Sequence, residues 1–218
     1  MEKDEIINSE QISIEQAHFI TKVYGWMALG LTISGLVAYF TNQNSSVVSM
    51  IFDNSYGFWL LLGLQIGVVI FLTKRIDTMS ANVAVGSFLF YSIVTGVVFS
   101  AIFMVIAFGE TIAPIFFIIG ATFAAMSILG YFTKTDLTSF SRILIMALVG
   151  LLIAAVANYL MDSSMFYYIC SFVGVLIFTG LIVIDTKKIK EMNKIGNEGS
   201  DEDKKEAIMG ALCLYIVF

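Results

Sequence analysis

The residue in this sequence best placed to do chemistry is Asp185, which ends a long apolar run. Residues 165–184 contain no charged side chain, and three lysines follow within a few positions. An apolar helix of about 20 residues is long enough to cross a bilayer core. Asp185 is therefore predicted to lie where hydrocarbon meets a cationic interface. A charge at membrane depth is costly, which favours a role in a transport path. A solvated carboxylate at a helix end is the alternative.

Two basic residues, Lys74 and Arg75, follow an earlier apolar run and are predicted to lie at the same membrane depth as Asp185. An arginine can bind a carboxylate through two hydrogen bonds, which a lysine cannot do. Arg75 is therefore the first candidate for a latch with Asp185, and Lys74 is the second.

Three acidic residues, Asp53, Glu110 and Asp162, are predicted to lie in loops on the opposite side of the membrane. An acidic outer mouth with a single inner carboxylate suits the passage of a cation, whereas solvated loop acids are the alternative. Calcium usually takes six to eight oxygens, so Asp185 as a metal ligand would bind calcium weakly and transiently. Weak binding suits a conduction path, because the ion must also leave.

The remaining reactive side chains do not form a catalytic set or a metal site. Cys170 and Cys213 both lie in apolar runs and are predicted to be small buried hydrophobes. His18 is the only histidine, so no Ser/His/Asp or Cys/His set can be assembled. We expect the protein not to be an enzyme and to have no cofactor, with calcium acting only as the permeant ion.

The composition predicts an integral membrane protein surrounded by lipid. Of 218 residues, 58% are apolar and 13% are charged, and the mean hydropathy is +0.89. A soluble domain would carry more charge than this. The net charge of -5 gives no support for a nucleic-acid partner. One proline, Pro114, leaves the long helices almost uninterrupted.

Apolar segments and the loops between them predict an all-α, multi-pass fold. An acidic N-terminal tail, residues 1–17, precedes a transmembrane domain at 18–218, and Ser13 begins a pattern typical of a capping box. Residues 42–53 and 187–205 are expected to be polar loops. The last segment is too short to cross, so the seventh helix is expected to be incomplete here or to re-enter the membrane. The predicted spans are residues 23–40, 57–73, 83–108, 112–132, 143–161 and 165–184, with a partial segment at 207–218.

The basic residues predict the orientation in the membrane. All twelve Lys and Arg residues precede the first span or follow the second, fourth or sixth span. Because cytoplasmic loops carry the excess of basic residues, the N-terminus is predicted to be cytoplasmic. The short loops and the lack of organelle signals favour a bacterial inner membrane, with an internal eukaryotic membrane as the alternative.

Four stretches, in order, resemble the Bax inhibitor family, also called the transmembrane Bax inhibitor motif group, in its bacterial type. The stretches are VYGWMALGL at 23–31, GYFTKTDL at 130–137, IFTGLIVIDTKKIK at 177–190 and ALCLY at 211–215. The similarity extends from about residue 17 to residue 218. The resemblance implies a seven-helix bundle with a central helix, and a pH-sensitive calcium leak.

The resemblance also implies an inner gate made of two aspartates and a basic residue of the second helix. Asp185 matches the first aspartate, and Arg75 is the choice for the basic residue. Val217 stands where the family has the second aspartate, so we expect a weaker pH response here. The alternative function is a binding partner that restrains a membrane-bound protease through the acidic tail.

Overall fold

The computed structural model describes residues 2–52, 55–105, 112–161 and 163–218. Over these residues the chain forms seven long α-helices, one short one and no strand, which confirms the predicted all-α fold of the seven-helix membrane type. Helices suit hydrocarbon, because their backbone hydrogen bonds are satisfied internally. The helices are α1 Glu2–Gln43, α2 Ser45–Phe52, α3 Ser55–Arg75, α4 Ala81–Val105, α5 Ile112–Phe132, α6 Thr138–Met161, α7 Ser164–Met192 and α8 Asp201–Val217.

Four helices in the described part of the chain are long and apolar enough to cross a membrane. These stretches are Gln11–Gln43, Ala81–Ser100, Thr138–Asn158 and Ser164–Met192, and a shorter apolar one is Ile118–Phe132. Large apolar side chains such as Met146, Ile153 and Leu160 of α6 remain exposed. Exposed apolar surface of this extent is rare in soluble proteins and is suited to contact with lipid.

Residues 1–116 and 192–215 form one compact unit, called unit 1. Within it, small residues let α1 and α4 approach closely. A Cβ atom added to Gly30 would lie 2.8 Å from the Phe88 ring, and one added to Gly96 would lie 2.7 Å from the Ser34 carbonyl oxygen. The buried face of α1 repeats every three or four residues and includes Phe19, Val23, Met27, Gly30, Ser34 and Ala38.

Residues 117–191 and 216–218 form the other compact unit, called unit 2. Its core cluster consists of Leu144, Ile177, Leu181 and Ile184. The helices α5 and α7 also meet closely, because a Cβ atom on Gly130 would lie 2.5 Å from the Val183 carbonyl oxygen.

Two predicted loops and one predicted helix start are wrong. Residues 42–53 contain the short helix α2. Helix α1 begins at Glu2 and not near Ser13, because no glycine or proline interrupts the chain before Gly25. Residues 2–17 of the predicted tail therefore form the first turns of α1.

The predicted loop at 187–205 is reduced to residues 193–200, because α7 runs on to Met192 and α8 begins at Asp201. The buried residues Ile182, Thr186 and Ile189 continue the three- and four-residue spacing of a helix face beyond the apolar run. Asp185 consequently lies inside α7 and not at its end.

Candidate functional site

Asp185 lies on α7 directly after Ile184, which is 1% exposed. Its own side chain is partly buried. Within unit 2, the carboxylate of Asp185 has no hydrogen-bond partner among the described residues. Lys188, one turn further along the same helix, is close enough to act on the carboxylate electrostatically. The ammonium group of Lys188 also donates a hydrogen bond to the Ser141 hydroxyl at 3.0 Å.

The lysines on either side of Lys188 bind the end of α5 and the connection that follows it. The ammonium group of Lys187 donates to the Thr135 carbonyl oxygen at 2.6 Å. Lys190 donates to the Tyr131 carbonyl oxygen at 3.3 Å, and its ammonium lies 4.3 Å from the centre of the Tyr131 ring. Carbonyls at a helix C-terminus lack partners within the helix, so these cations stabilise the end of α5.

A carboxylate in the same region, Asp136, is tied to the start of α6. Its Oδ1 atom accepts hydrogen bonds from the Thr138 hydroxyl at 2.6 Å and from the Thr138 backbone N–H at 2.9 Å. These two bonds favour the ionised form and hold the pKa of Asp136 below its usual value. Asp136 therefore acts as a local cap for α6. Its side chain is fully exposed.

Val217, at the position of the second aspartate implied by the resemblance, packs against the core cluster of unit 2. That cluster includes Ile184, the neighbour of Asp185 in sequence. Position 217 is thus brought close to the segment that carries the predicted gate residue. Val217 also lines a largely apolar, open cavity of about 1220 Å³, together with Asn158 and Thr179.

The two basic candidates, Lys74 and Arg75, form the last turn of α3, and both side chains are exposed. The Arg75 carbonyl oxygen accepts hydrogen bonds from the backbone N–H groups of Thr78 and Met79, each at 3.0 Å. Arg75 belongs to unit 1 and Asp185 to unit 2, and their pairing stays a prediction. The acids predicted at the outer mouth, Asp53, Glu110 and Asp162, lie outside the described residues.

A buried hydroxyl cluster joins α1, α4 and α8 within unit 1. The Ser34 hydroxyl donates to the Ser92 carbonyl oxygen and shares a hydrogen bond with the Tyr215 hydroxyl. The Tyr215 ring also makes edge contacts with Phe88 and Tyr91. Hydrogen bonds of this kind hold helices together in a membrane, and Tyr215 thereby fixes α8 against two other helices.

Sequence reasoning missed a second polar contact of unit 1, an ion pair between Lys22 and Asp203. The two charged atoms lie 2.7 Å apart, and the Asp203 side chain is only 3% exposed. The acidic start of α8 was a visible signal, since carboxylates are favoured in the first turn of a helix. Nothing in the sequence indicates which of these acids is buried.

No group of three or more His, Cys, Asp or Glu residues that could hold a metal ion occurs among the residues the structure describes. The weak calcium contact predicted for Asp185 needs only one carboxylate with backbone or water oxygens. It stays a prediction.

Residues 16–218 match the family model described as "Inhibitor of apoptosis-promoting Bax1". The chain belongs to this family. The match begins at residue 16, within α1, and covers all the helices that follow. The protein is therefore a membrane protein of the Bax inhibitor family.

Bacterial relatives cover nearly the whole chain. An uncharacterized protein of Borreliella burgdorferi is 38% identical over 92% of this chain and 86% of its own length. The inner membrane protein YbhL of Escherichia coli K12 is 35% identical over 92% of this chain and 86% of its own length. An uncharacterized protein of Deinococcus radiodurans is 32% identical over 98% and 91%. No solved structure matches the chain.

Proposed function

We propose that this Bax inhibitor family protein is a cation leak channel with calcium as the permeant ion. The observation that carries the proposal is Asp185, a lone carboxylate partly buried on α7 after an apolar stretch long enough to cross a membrane. An ionisable side chain in such a position is costly and is typical of an ion pathway. The similarity to the inner membrane protein YbhL supports a bacterial inner membrane as the location.

In this proposal the gate lies on the cytoplasmic side. Asp185 and a basic residue, Arg75 or Lys74, hold the closed state by mutual attraction. The acids Asp53 and Glu110 attract cations at the outer mouth. The N-terminus is cytoplasmic, because the basic residues lie on one side of the alternating spans.

The proposed leak responds to pH less steeply than in relatives that have both aspartates. Two neighbouring carboxylates share a proton, because ionising both at once is unfavourable. Here Val217 contributes no charge, so Asp185 titrates without that coupling.

The test is calcium entry into liposomes that contain purified protein and a calcium-sensitive dye. Wild-type protein should raise entry above empty liposomes and above liposomes with heat-denatured protein. Asp185→Asn should raise the leak further, because the closed state loses one charge of its latch. Asp136→Asn is the matched control, since it neutralises a fully exposed carboxylate in the same unit.

Equal calcium entry into wild-type and empty liposomes, at both neutral and mildly acidic pH, would contradict the channel proposal. Equal effects of Asp185→Asn and Asp136→Asn would remove Asp185 from the gate while leaving the leak itself intact.

A second candidate function is restraint of a membrane-bound protease. It is favoured by the acidic first turns of α1, since residues 1–15 lie outside the family match at 16–218. Such a segment can serve as a contact outside the part of the chain that the family model matches. Deleting residues 2–12 should then abolish co-purification of the protease and leave calcium entry unchanged. Unchanged co-purification after the deletion would contradict this role.

A further inference from the structure

One face of α1 contacts the loop between α7 and α8, and the first turn of α8, at three successive positions. Glu15, His18 and Lys22 are spaced so that they lie on the same side of a helix. Their partners follow in the same order along residues 196–203. The contacts are Glu15 Oε1 to the Gly196 N–H at 2.7 Å, His18 Nδ1 to Glu198 Oε1 at 3.2 Å, and Lys22 Nζ to Asp203 Oδ2 at 2.7 Å.

The loop is shaped to present its backbone to these acids. Gly196 and Gly199 have φ angles of 90° and 81°, which residues other than glycine rarely adopt. Each of these glycines donates its N–H to a carboxylate. Gly196 donates to Glu15 at 2.7 Å, and Gly199 donates to Asp203 at 2.8 Å.

Asp203 is the centre of this contact. Its side chain is 3% exposed, whereas that of Lys22 is 36% exposed. Lys22 and the Gly199 amide stabilise its negative charge. The position of Asp203 in the first turn of α8 adds to this, because the helix dipole favours a negative charge there. The Ser200 hydroxyl accepts the Asp203 N–H at 3.1 Å and caps the helix. A buried carboxylate that loses its cationic partner strongly destabilises the state that contains it.

The same helix carries Val217, which packs against the cluster that contains Ile184. Val217 is about four turns beyond Asp203, or roughly 20 Å along α8. Tyr215 is joined to Ser34 of α1, so α1 holds α8 at two points within unit 1. A helix fixed at both points has little freedom to shift or rotate.

We propose that Glu15, His18 and Lys22 form a clasp with residues 196–203, and that Asp203 is the positioning residue through which the clasp fixes α8. Opening the clasp frees α8 to move and thereby opens the leak, a step that rests on the proposed channel function. The groups that face Asp203 and Glu198 are His18, Lys22 and the Gly199 amide.

The test combines hydrogen exchange with calcium flux on the whole protein in liposomes. Asp203→Asn and Lys22→Met should each speed amide exchange of residues 196–206 by roughly tenfold, because the clasp opens more often. Both should raise calcium entry severalfold. The double variant should add little to either single change, since the two residues act as one contact.

Lys204→Met is the matched control, because Lys204 is 56% exposed and pairs with Asp201 only across 3.7 Å on the surface of α8. It should leave exchange and flux at the wild-type level. The conservative variant Lys22→Arg keeps the charge, so amide exchange and calcium entry should both stay at the wild-type level. If Asp203→Asn does not fold, Lys22→Met carries the test, because it leaves Asp203 with the Gly199 amide.

Wild-type exchange rates in Asp203→Asn and Lys22→Met would overturn the clasp, whatever the flux. Faster exchange with unchanged flux, in liposomes where the wild type leaks, would overturn its control of the leak. If the wild type does not leak at all, the proposed channel function fails, and the exchange data alone decide whether the clasp fixes α8.

Discussion

At position 217 the chain carries an apolar side chain where the Bax inhibitor resemblance implies a carboxylate. Val217 packs against a cluster that contains Ile184, the residue before Asp185. A carboxylate introduced at 217 would therefore lie among apolar side chains, close to the segment that carries one other acid. Such an environment favours a shared proton between the two acids.

Val217→Asp is accordingly expected to steepen the dependence of calcium entry on pH and to move its midpoint towards neutral. The measurement is calcium flux into liposomes from mildly acidic to mildly alkaline pH. Val217→Asn is the control, because it adds a polar group of similar size that does not ionise. Superimposable curves for the wild type and Val217→Asp would show that the missing aspartate does not set the pH response.

The latch predicts a larger effect of removing Arg75 than of removing Lys74. Arg75→Ala should raise calcium entry about fivefold, corresponding to about 1 kcal/mol for a partner that water reaches. Lys74→Ala should have a smaller effect, because lysine lacks the two-bond geometry. Combining Arg75→Ala with Asp185→Asn should give no further increase. Full additivity would mean that the two residues act independently.

At the scale of whole helices, unit 2 depends on the close approach of α5 and α7 at Gly130. A Cβ atom there would lie 2.5 Å from the Val183 carbonyl oxygen and 2.9 Å from the Thr186 Cβ. Because the nearest atom is a backbone oxygen and not the end of a flexible side chain, α7 can make room only by shifting as a whole. Helix α5 also contains Gly120, where an added Cβ would meet no atom within 4 Å.

Gly130→Ala is expected to lower the thermal stability of the purified protein, at a cost of about 1–3 kcal/mol for overpacking. Gly120→Ala, the control, should be neutral or slightly stabilising because alanine favours the helix. Thermal unfolding in detergent compares the two variants. Equal melting temperatures for Gly130→Ala and the wild type would show that α5 and α7 are further apart.

The long helices could be predicted from the sequence because an apolar run in a membrane has one stable backbone form. The predicted segment 112–132 coincides with α5, Ile112–Phe132. Helix extensions into water were less predictable. Residues 187–192 carry three lysines and a glutamate, and only the buried Ile189 shows that they continue the face of α7.

Across the whole molecule, all twelve basic residues lie on one side of the predicted alternation of spans. Asn44, between α1 and α2, and Ser80, before α4, are both exposed and lie in loops predicted to be on opposite sides. Their side chains are therefore suitable positions for testing the orientation.

Cysteines at Asn44 and at Glu110 should react with a membrane-impermeant reagent in intact cells, and a cysteine at Ser80 should not. The background should carry Cys170→Ala and Cys213→Ala, which remove the native thiols. Permeabilised cells provide the control, because Ser80→Cys should then react too. Labelling of Ser80→Cys in intact cells would reverse the topology.

Contacts between distant parts of the chain account for most of what the sequence could not show. Lys22 and Asp203 are separated by 181 positions, and several lysines and acids offer equally good partners by charge alone. Which pair becomes buried is decided by the packing of α1 and α8. Asp185, in contrast, could be selected because it falls within a stretch that resembles the family, and Val217 because it follows another such stretch by two residues.

The lysines that bind the end of α5 also change how the folded chain reacts with amine reagents. Lys187 is 16% exposed, and its nitrogen is held by a carbonyl oxygen, whereas Lys194 is 70% exposed. An acylating reagent should therefore modify Lys194 well before Lys187 in the native protein, and both at similar rates after denaturation. Mass spectrometry of the two sites gives a chemical measure of correct folding that needs neither an ion nor a transport assay.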